Sequence, residues 1–444
     1  MRRIEEKEEK PKQSPKIRRV PEILRQKKSS RKARCYDPFV VSISPYHHDK
    51  PDLQEVERLK IPLARQYVKD CSRSLEVVYG KVEEVSNHAR GCYPDDATSK
   101  FDDTKFTRMI FLDGCFILQF LVSLIHGEPM KGLKTNLVAF VQRDLFLLEN
   151  QLPYQILQAL MSLRFKETER RLLINRFIYA TRGLNNRYPS LIERVARKLN
   201  FKAKPAGMEL PHEPDNPVHL LDIFRSHFIN KIDLMGCHRK GKARYWYSYP
   251  AAKELKTMGI HFKSSNEDRF TDIRFKGYLT AGVLTLPRII LDDTTMSMLL
   301  NLVAYEACPD TPDDFGITSY VCFMDSLIDE AKDVEELRKK RIIYNMLAND
   351  HEAAELFNDV AKDLVPSPCA FIDVKERIET HYKNKCKTNI SEWLNSHFES
   401  PWTLIALLAA IFAILLSFVQ TYLAWVDFCL GENHSHFWCP FPKR

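Results

Sequence analysis

Along most of this chain apolar residues return every three or four positions, the period of an α-helix with one face turned inward. Asp52 and Glu55, at capping-box spacing, predict the start of a helix running to about Ala89. Lys105 to His126 predicts a second helix, apolar on nearly every side apart from Asp113 and Gln119 and therefore deeply buried. Leu145, Leu148, Leu152, Ile156 and Leu160 predict a third, from about Leu137 to Arg164, kinked at Pro153. Helices are also expected at Val218–Ile229, from Asp293-Thr294 to Ala307, at Ser319–Asn345, at Asn349–Lys362, and from Ile372 onward. The period changes only near residues 260–291. There Ile260–Phe262, Phe270–Phe275 and Val283–Leu291 predict a small antiparallel sheet. Between Asn200 and Pro217, four prolines (Pro205, Pro211, Pro214, Pro217) mark a surface loop. The fold class is mainly α, in α+β form, with one large helical domain.

The last apolar run is of another kind. From Ser400 to Val426 no residue is charged. A helix from Pro401 to Val426 reaches about 39 Å, more than the ~30 Å of a bilayer's hydrocarbon. Its Leu, Ile, Phe and Val residues together favour lipid by about 4 to 7 kcal/mol, against only Thr403, Ser417, Gln420 and Thr421 as polar members. Trp402 near one end, with Tyr422 and Trp425 near the other, are placed as interfacial anchors. A single transmembrane helix at 401–426 is therefore expected. Because no apolar leader precedes the body, the reading is a tail anchor, with the bulk of the chain cytosolic on the plasma membrane or an endomembrane. Lys383, Lys385 and Lys387 before the span, against Lys443 and Arg444 after it, lean the same way. Residues 427–444 become a short exoplasmic tail, with a glycosylation sequon at Asn433.

Charge divides the chain further. Residues 1–34 carry 14 Lys and Arg against five Glu, while the remainder balances 52 against 53. That predicts a disordered basic arm over 1–34, able to contact anionic lipid, joined to a neutral body over 35–400. A body so balanced argues against nucleic acid as a partner. Glycine, at 14 of 444 residues, is scarce, and neither GxxxxGK[ST] nor GxGxxG occurs, so no phosphate-binding cofactor is expected. The 11 cysteines lack metal spacing and suit reduced cytosolic thiols.

Candidate chemistry is thin. His47-His48 and His238 beside Cys237 lack further ligands at metal spacing. Asp113, Asp144 and Glu149 are the best acids for proton transfer, but a five-residue step turns Asp144 and Glu149 to different helix faces. Hydrogen bonds to helix ends, or to Asn150 and Gln151, account for them more simply. Asp292-Asp293 sits where a helix cap is expected, and Asp272 with Lys276 lacks partner acids. No catalytic, cofactor or metal residue is assigned, and the chain reads as a non-enzyme; an enzyme using the helix carboxylates is the alternative.

Several strings, in order, resemble a plant family described only as domain of unknown function 247. They include IRRVPEILR from Ile17, VVSISPYHH ending at His48, MIFLDGCFILQFL from Met109 and DLFLLENQLPY from Asp144. VLTLPRIILDDTT from Val283, ITSYVCFMDSLI from Ile317 and SPWTLIALLAA continue the series. The resemblance implies a plant protein, mostly helical, with one C-terminal membrane helix and no assigned activity. Related genes are associated with self-incompatibility in grasses, which implies recognition or signalling with protein partners it does not name. Ser44, Asp49 and Arg341 stand where the family commonly has glycine, and Gln119 where an acid is common.

Overall fold

The computed structural model describes residues 16–25, 32, 34–43, 45–182, 214, 216–229, 250–267, 269–278, 281–383 and 401–430. Its hub is α3 (Asp103–His126), against which α1 (Gln54–Asp70), α2 (Leu75–Arg90), α5 (Tyr154–Arg164) and α6 (Glu167–Thr181) pack. The Asp102 carboxylate caps α3 by accepting from the Lys105 N–H at 2.7 Å, and Gly127 ends it in the left-handed region at φ 68°. Between these ends α3 is buried as its apolar circumference requires. A Cβ at Gly114 would lie 2.6 Å from Leu160, so the missing side chain sets how closely α5 approaches.

Two expected helices are broken. The Asp52–Ala89 run divides into α1 and α2 at Cys71–Ser74, where Ser72 takes φ 51° and the Ser74 side chain caps α2. Asp52 lies in a 3₁₀ turn, Pro51–Leu53, and does not cap α1. The Leu137–Arg164 run divides into α4 (Val138–Asp144) and α5, with a 3₁₀ turn at Leu148–Asn150 between them. The interruption is chemical, because Asn150 and Gln151 draw Asp144, Leu145 and Leu147 carbonyls away from helical bonding.

Beyond α7 (Leu220–Ser226) and α8 (Ala252–Thr257) lies a sheet of β1 (Ile260–Ser264), β2 (Arg274–Gly277) and β3 (Gly282–Leu286), in the order β1-β3-β2. It is mixed rather than antiparallel, since β1 runs parallel to β3 and only β2 is antiparallel. The parallel pair follows from chain order: β2 is inserted between β1 and β3 and takes the other edge. Pro287 parts β3 from β4 (Ile289–Leu291), which pairs in parallel with β5 (Ile343–Asn345). α9 (Thr295–Glu306) follows β4. The Ser319–Asn345 expectation becomes α10 (Gly316–Asp325), α11 (Ala331–Lys339) and β5, with Glu330 and Asp333 forming a capping box that starts α11 afresh. α12 (Asp350–Ala361) opens on its Asn349 cap as predicted, and α13 (Ile372–Lys383) packs on β2.

One apolar cluster runs from Ile17 to Ile378 and joins both halves. It includes part of the supposed basic arm: Ile17 and Val20 are 0% and 3% exposed. The Lys16 and Ile17 N–H groups bond the Cys92 carbonyl, Arg18 pairs with Asp310, and Arg19 pairs with Asp96. A solvated arm reaching residue 34 is therefore corrected, because Ile17 and Val20 seat within the core. The final helix, α14 (Pro401–Leu430), contrasts with α3: in its apolar stretch, Leu408–Val426, no side chain is buried.

Candidate functional site

A buried polar cluster is built by the turn between α4 and α5. The Asp144 carboxylate, 0% exposed, accepts from the N–H groups of Phe39, Val40 and Val41 at 2.8–3.1 Å. Arg143 bonds the same carboxylate at 2.7 Å, donates to the Arg34 and Asp37 carbonyls, and lies 3.6 Å over the Phe39 ring. Burial pushes the Asp144 carboxyl above its ordinary range, while these donors hold it toward its charged form. Asn150 continues the clasp, accepting from Ile43 N–H at 2.7 Å and donating to the Val41 carbonyl. Glu149 takes the Val20 N–H at 2.8 Å and Arg25 at 3.0 Å. Gln151 accepts from Leu221 N–H at the start of α7. The DLFLLENQ block thus gathers three separate stretches of extended or helix-end backbone whose polar groups would otherwise be buried unpaired.

Two charge clusters flank it. Lys60, 1% exposed, donates to Asp113 at 2.6 Å, to Glu57 and to the Ser42 carbonyl. Burial opposes its charge, but the two carboxylates outweigh burial and raise its pKa. On the other side Arg225 binds Glu306 and Asp314, while Glu306 also caps α10 through the Ile317 and Thr318 N–H groups at 2.9 Å. Neither Lys60 nor Arg225 was foreseen. Lys60 occupies an inward position of α1 in the series Val56, Lys60, Leu63, Tyr67, and that placement is the signal that could have found it.

The acids singled out in the sequence therefore do not meet as a proton-transfer pair. Asp113 serves Lys60, Asp144 serves the Phe39–Val41 backbone, and Glu149 serves Val20 and Arg25. Gln119 donates to Asp70 at 2.9 Å, an acid that also binds Arg164. Asp292 accepts from the Thr294 N–H and from the hydroxyls of Thr294 and Thr295, closing the turn into α9. A cleft of about 300 Å³ lies beside it, lined by Arg34, Cys35, Phe39, Asp293 and Met296 among others. Asp272 is held by Ser265 and Arg274 rather than by Lys276.

His47 and His48 part as their adjacency implies. His47 is 3% exposed with neither ring nitrogen bonded, and burial lowers its pKa to about 3. His48 lies 3.4 Å from Asp49 and edge-on to Phe101. Among the described residues no three His, Cys, Asp or Glu side chains are grouped to hold a metal ion. Cys35, Cys71, Cys92, Cys115, Cys308 and Cys322 are free thiols, whereas Cys369 is disulfide-bonded, so the expectation of reduced thiols throughout fails there. Of the interfacial residues, Trp402 lies in the first turn of α14, and Tyr422 and Trp425 sit 6.4 Å apart near its far end. Asn433, Cys237 and His238 lie outside the described residues.

These features define a mainly helical protein whose buried polar strings bind its own backbone, followed by a long, unburied apolar helix. The profile of a family described as "Plant protein of unknown function" (DUF247) matches residues 17–416, and the chain belongs to that family. It is similar to the UPF0481 protein At3g47200 of Arabidopsis thaliana, at 27% identity over 89% of this chain and 84% of the relative. It is also similar to the putative UPF0481 protein At3g02645 of the same plant, at 23% over 87% and 86%. No solved structure matches it.

Proposed function

We propose that this chain is a membrane-anchored interaction component of a plant cell, acting by recognition rather than catalysis. The observation that carries this reading is α14, whose uncharged Leu408–Val426 stretch leaves every side chain unburied. In water that surface would be costly; in hydrocarbon a helix satisfies its own backbone, and Ser417 and Thr421 satisfy their hydroxyls on the carbonyls four residues back. The equally apolar α3 has a different outlet, since it is two-thirds buried in the body. A non-catalytic role is supported by Asp113, Asp144 and Glu149, each engaged in holding structure. Alkaline carbonate extraction of membranes from cells expressing the full chain tests the anchor. Retention in the pellet, with release by detergent, is expected; recovery in the soluble fraction overturns it.

We place the body on the cytosolic side, as the lysines preceding α14 favour. A second reading, with the body exoplasmic, is favoured by the Cys369 disulfide, a bond at home in an oxidising compartment. Protease added to sealed microsomes digests a cytosolic body and spares an exoplasmic one. Anionic-lipid contact by the basic arm loses weight here, because Arg18, Arg19 and Arg25 are paired with acids of the body itself.

A further inference from the structure

We propose that the outer face of the β1-β3-β2 sheet docks on anionic phospholipid headgroups of the membrane that α14 enters, fixing the orientation of the body. The inference rests on the membrane-anchored, cytosolic reading above. Strand alternation creates the surface. Ile260, Phe262, Phe275 and Leu284 point inward and are buried, which turns His261, Lys263, Arg274 and Lys276 outward. The register sets them in two rows across the central strand, His261–Val283–Lys276 and Lys263–Thr285–Arg274.

The face is therefore lined by basic side chains on both edges, with no acid between them. Arg274 is tied to Asp272, but Lys263 and Lys276 have no ionic partner among the described residues and are exposed. Past β1, Lys340 and Lys256 act on His261 against a single acid, Glu336, which is itself paired with Lys256. Val283 and Thr285 keep the middle of the face flat and free of charge.

Connectivity brings this face to a membrane. α13 packs on β2 through His381 against Phe275 and through Arg377, which donates to the Phe275 carbonyl. After α13 ends at Lys383, 17 residues precede Pro401. Seventeen residues span at most about 60 Å, so the strand bearing Lys276 cannot leave the bilayer's vicinity. Under such tethering a few free cations suffice, because docking is intramolecular and need only select one orientation.

The test reconstitutes the full chain into vesicles of pure phosphatidylcholine and into vesicles of three parts phosphatidylcholine to one part phosphatidylserine. Flotation after carbonate washing reports the anchor; lysine acetylation read by mass spectrometry reports the face. Lys263, Lys276 and Lys340 should be modified roughly tenfold more slowly on the anionic vesicles, the effect of one to two such cations near the surface. High salt should abolish the difference, and Lys105 and Lys134 in the helical half should not change. Lys263→Glu with Lys276→Glu, both at exposed positions, should remove the protection of Lys340 while flotation persists. Flotation on both vesicles with equal acetylation overturns the docking alone. Failure to float on either overturns the anchor and the docking with it.

Discussion

At the scale of single residues, two of the positions where the family resemblance implies glycine, Asp49 and Arg341, are distinguished by their backbone conformation. Both adopt the left-handed region, at φ 67° and 56°. A side chain there costs roughly 1 to 2 kcal/mol that glycine does not incur. Arg341 is exposed, so Arg341→Gly should raise the chain's stability by about 1 kcal/mol, after the entropy glycine adds to the unfolded state. Urea titration in detergent should show the midpoint moving up; a lower midpoint would mean that the arginine side chain matters more than its backbone. The buried Lys60–Asp113 pair makes the opposite case. Asp113→Leu alone leaves the buried Lys60 ammonium with Glu57 as its one carboxylate and should cost about 3 kcal/mol, whereas adding Lys60→Met should recover most of that loss. Glu57, left with one partner fewer, is the reason recovery should be incomplete. The same titrations, arranged as a double-mutant cycle, read the coupling directly, and additive losses would show that the pair is not energetically linked.

Among the elements, what could be read in the sequence followed from one-dimensional periodicity. α3, α12 and α14 were legible because each carries a plain signal along its length: apolar on nearly every side, cleanly capped by Asn349, or free of charge as far as Val426. The breaks were not. Leu145, Leu148, Leu152, Ile156 and Leu160 keep helical spacing through a segment that is not helical between Asp144 and Tyr154. The spacing survives because all five side chains still reach the core, while Asp144, Asn150 and Gln151 take over the backbone groups. In the DLFLLENQLPY string side chains thus replace backbone pairing, and periodicity alone cannot see that. β1 pairing parallel to β3 was equally hidden, since strand order depends on contacts that local patterns do not encode. The acids Asp113, Asp144 and Glu149 were legible as buried and hydrogen-bonded, but their partners Lys60, Val40 and Val20 were not, because those contacts bridge 53, 104 and 129 positions.

Over the whole molecule, long-range polar ties make the two halves one cooperative unit. Asn301 on α9 accepts from the Leu148 N–H and donates to the Cys35 carbonyl, and Arg18 reaches Asp310. Stress at one buried site should therefore be felt globally, and acid supplies such a stress at three. His47, His219 and His227 are buried, and desolvation lowers their pKa values to about 3, 4 and 3, far below the ordinary 6.5. Each is held neutral when folded and gains a proton on unfolding, so its contribution is fully present above pH 6.5 and is lost as pH falls toward the folded values. Between pH 7 and pH 5 that loss is about 2 kcal/mol per histidine, and three together are comparable with the 5 to 15 kcal/mol that holds a typical domain folded. Urea midpoints of the detergent-solubilised chain should fall steeply over this window. His47→Leu should remove about a third of the fall while leaving the remainder, since His219 and His227 flank α7 and titrate independently of it. A midpoint flat from pH 7 to pH 5 would show that these imidazoles reach water or a proton acceptor in the folded chain.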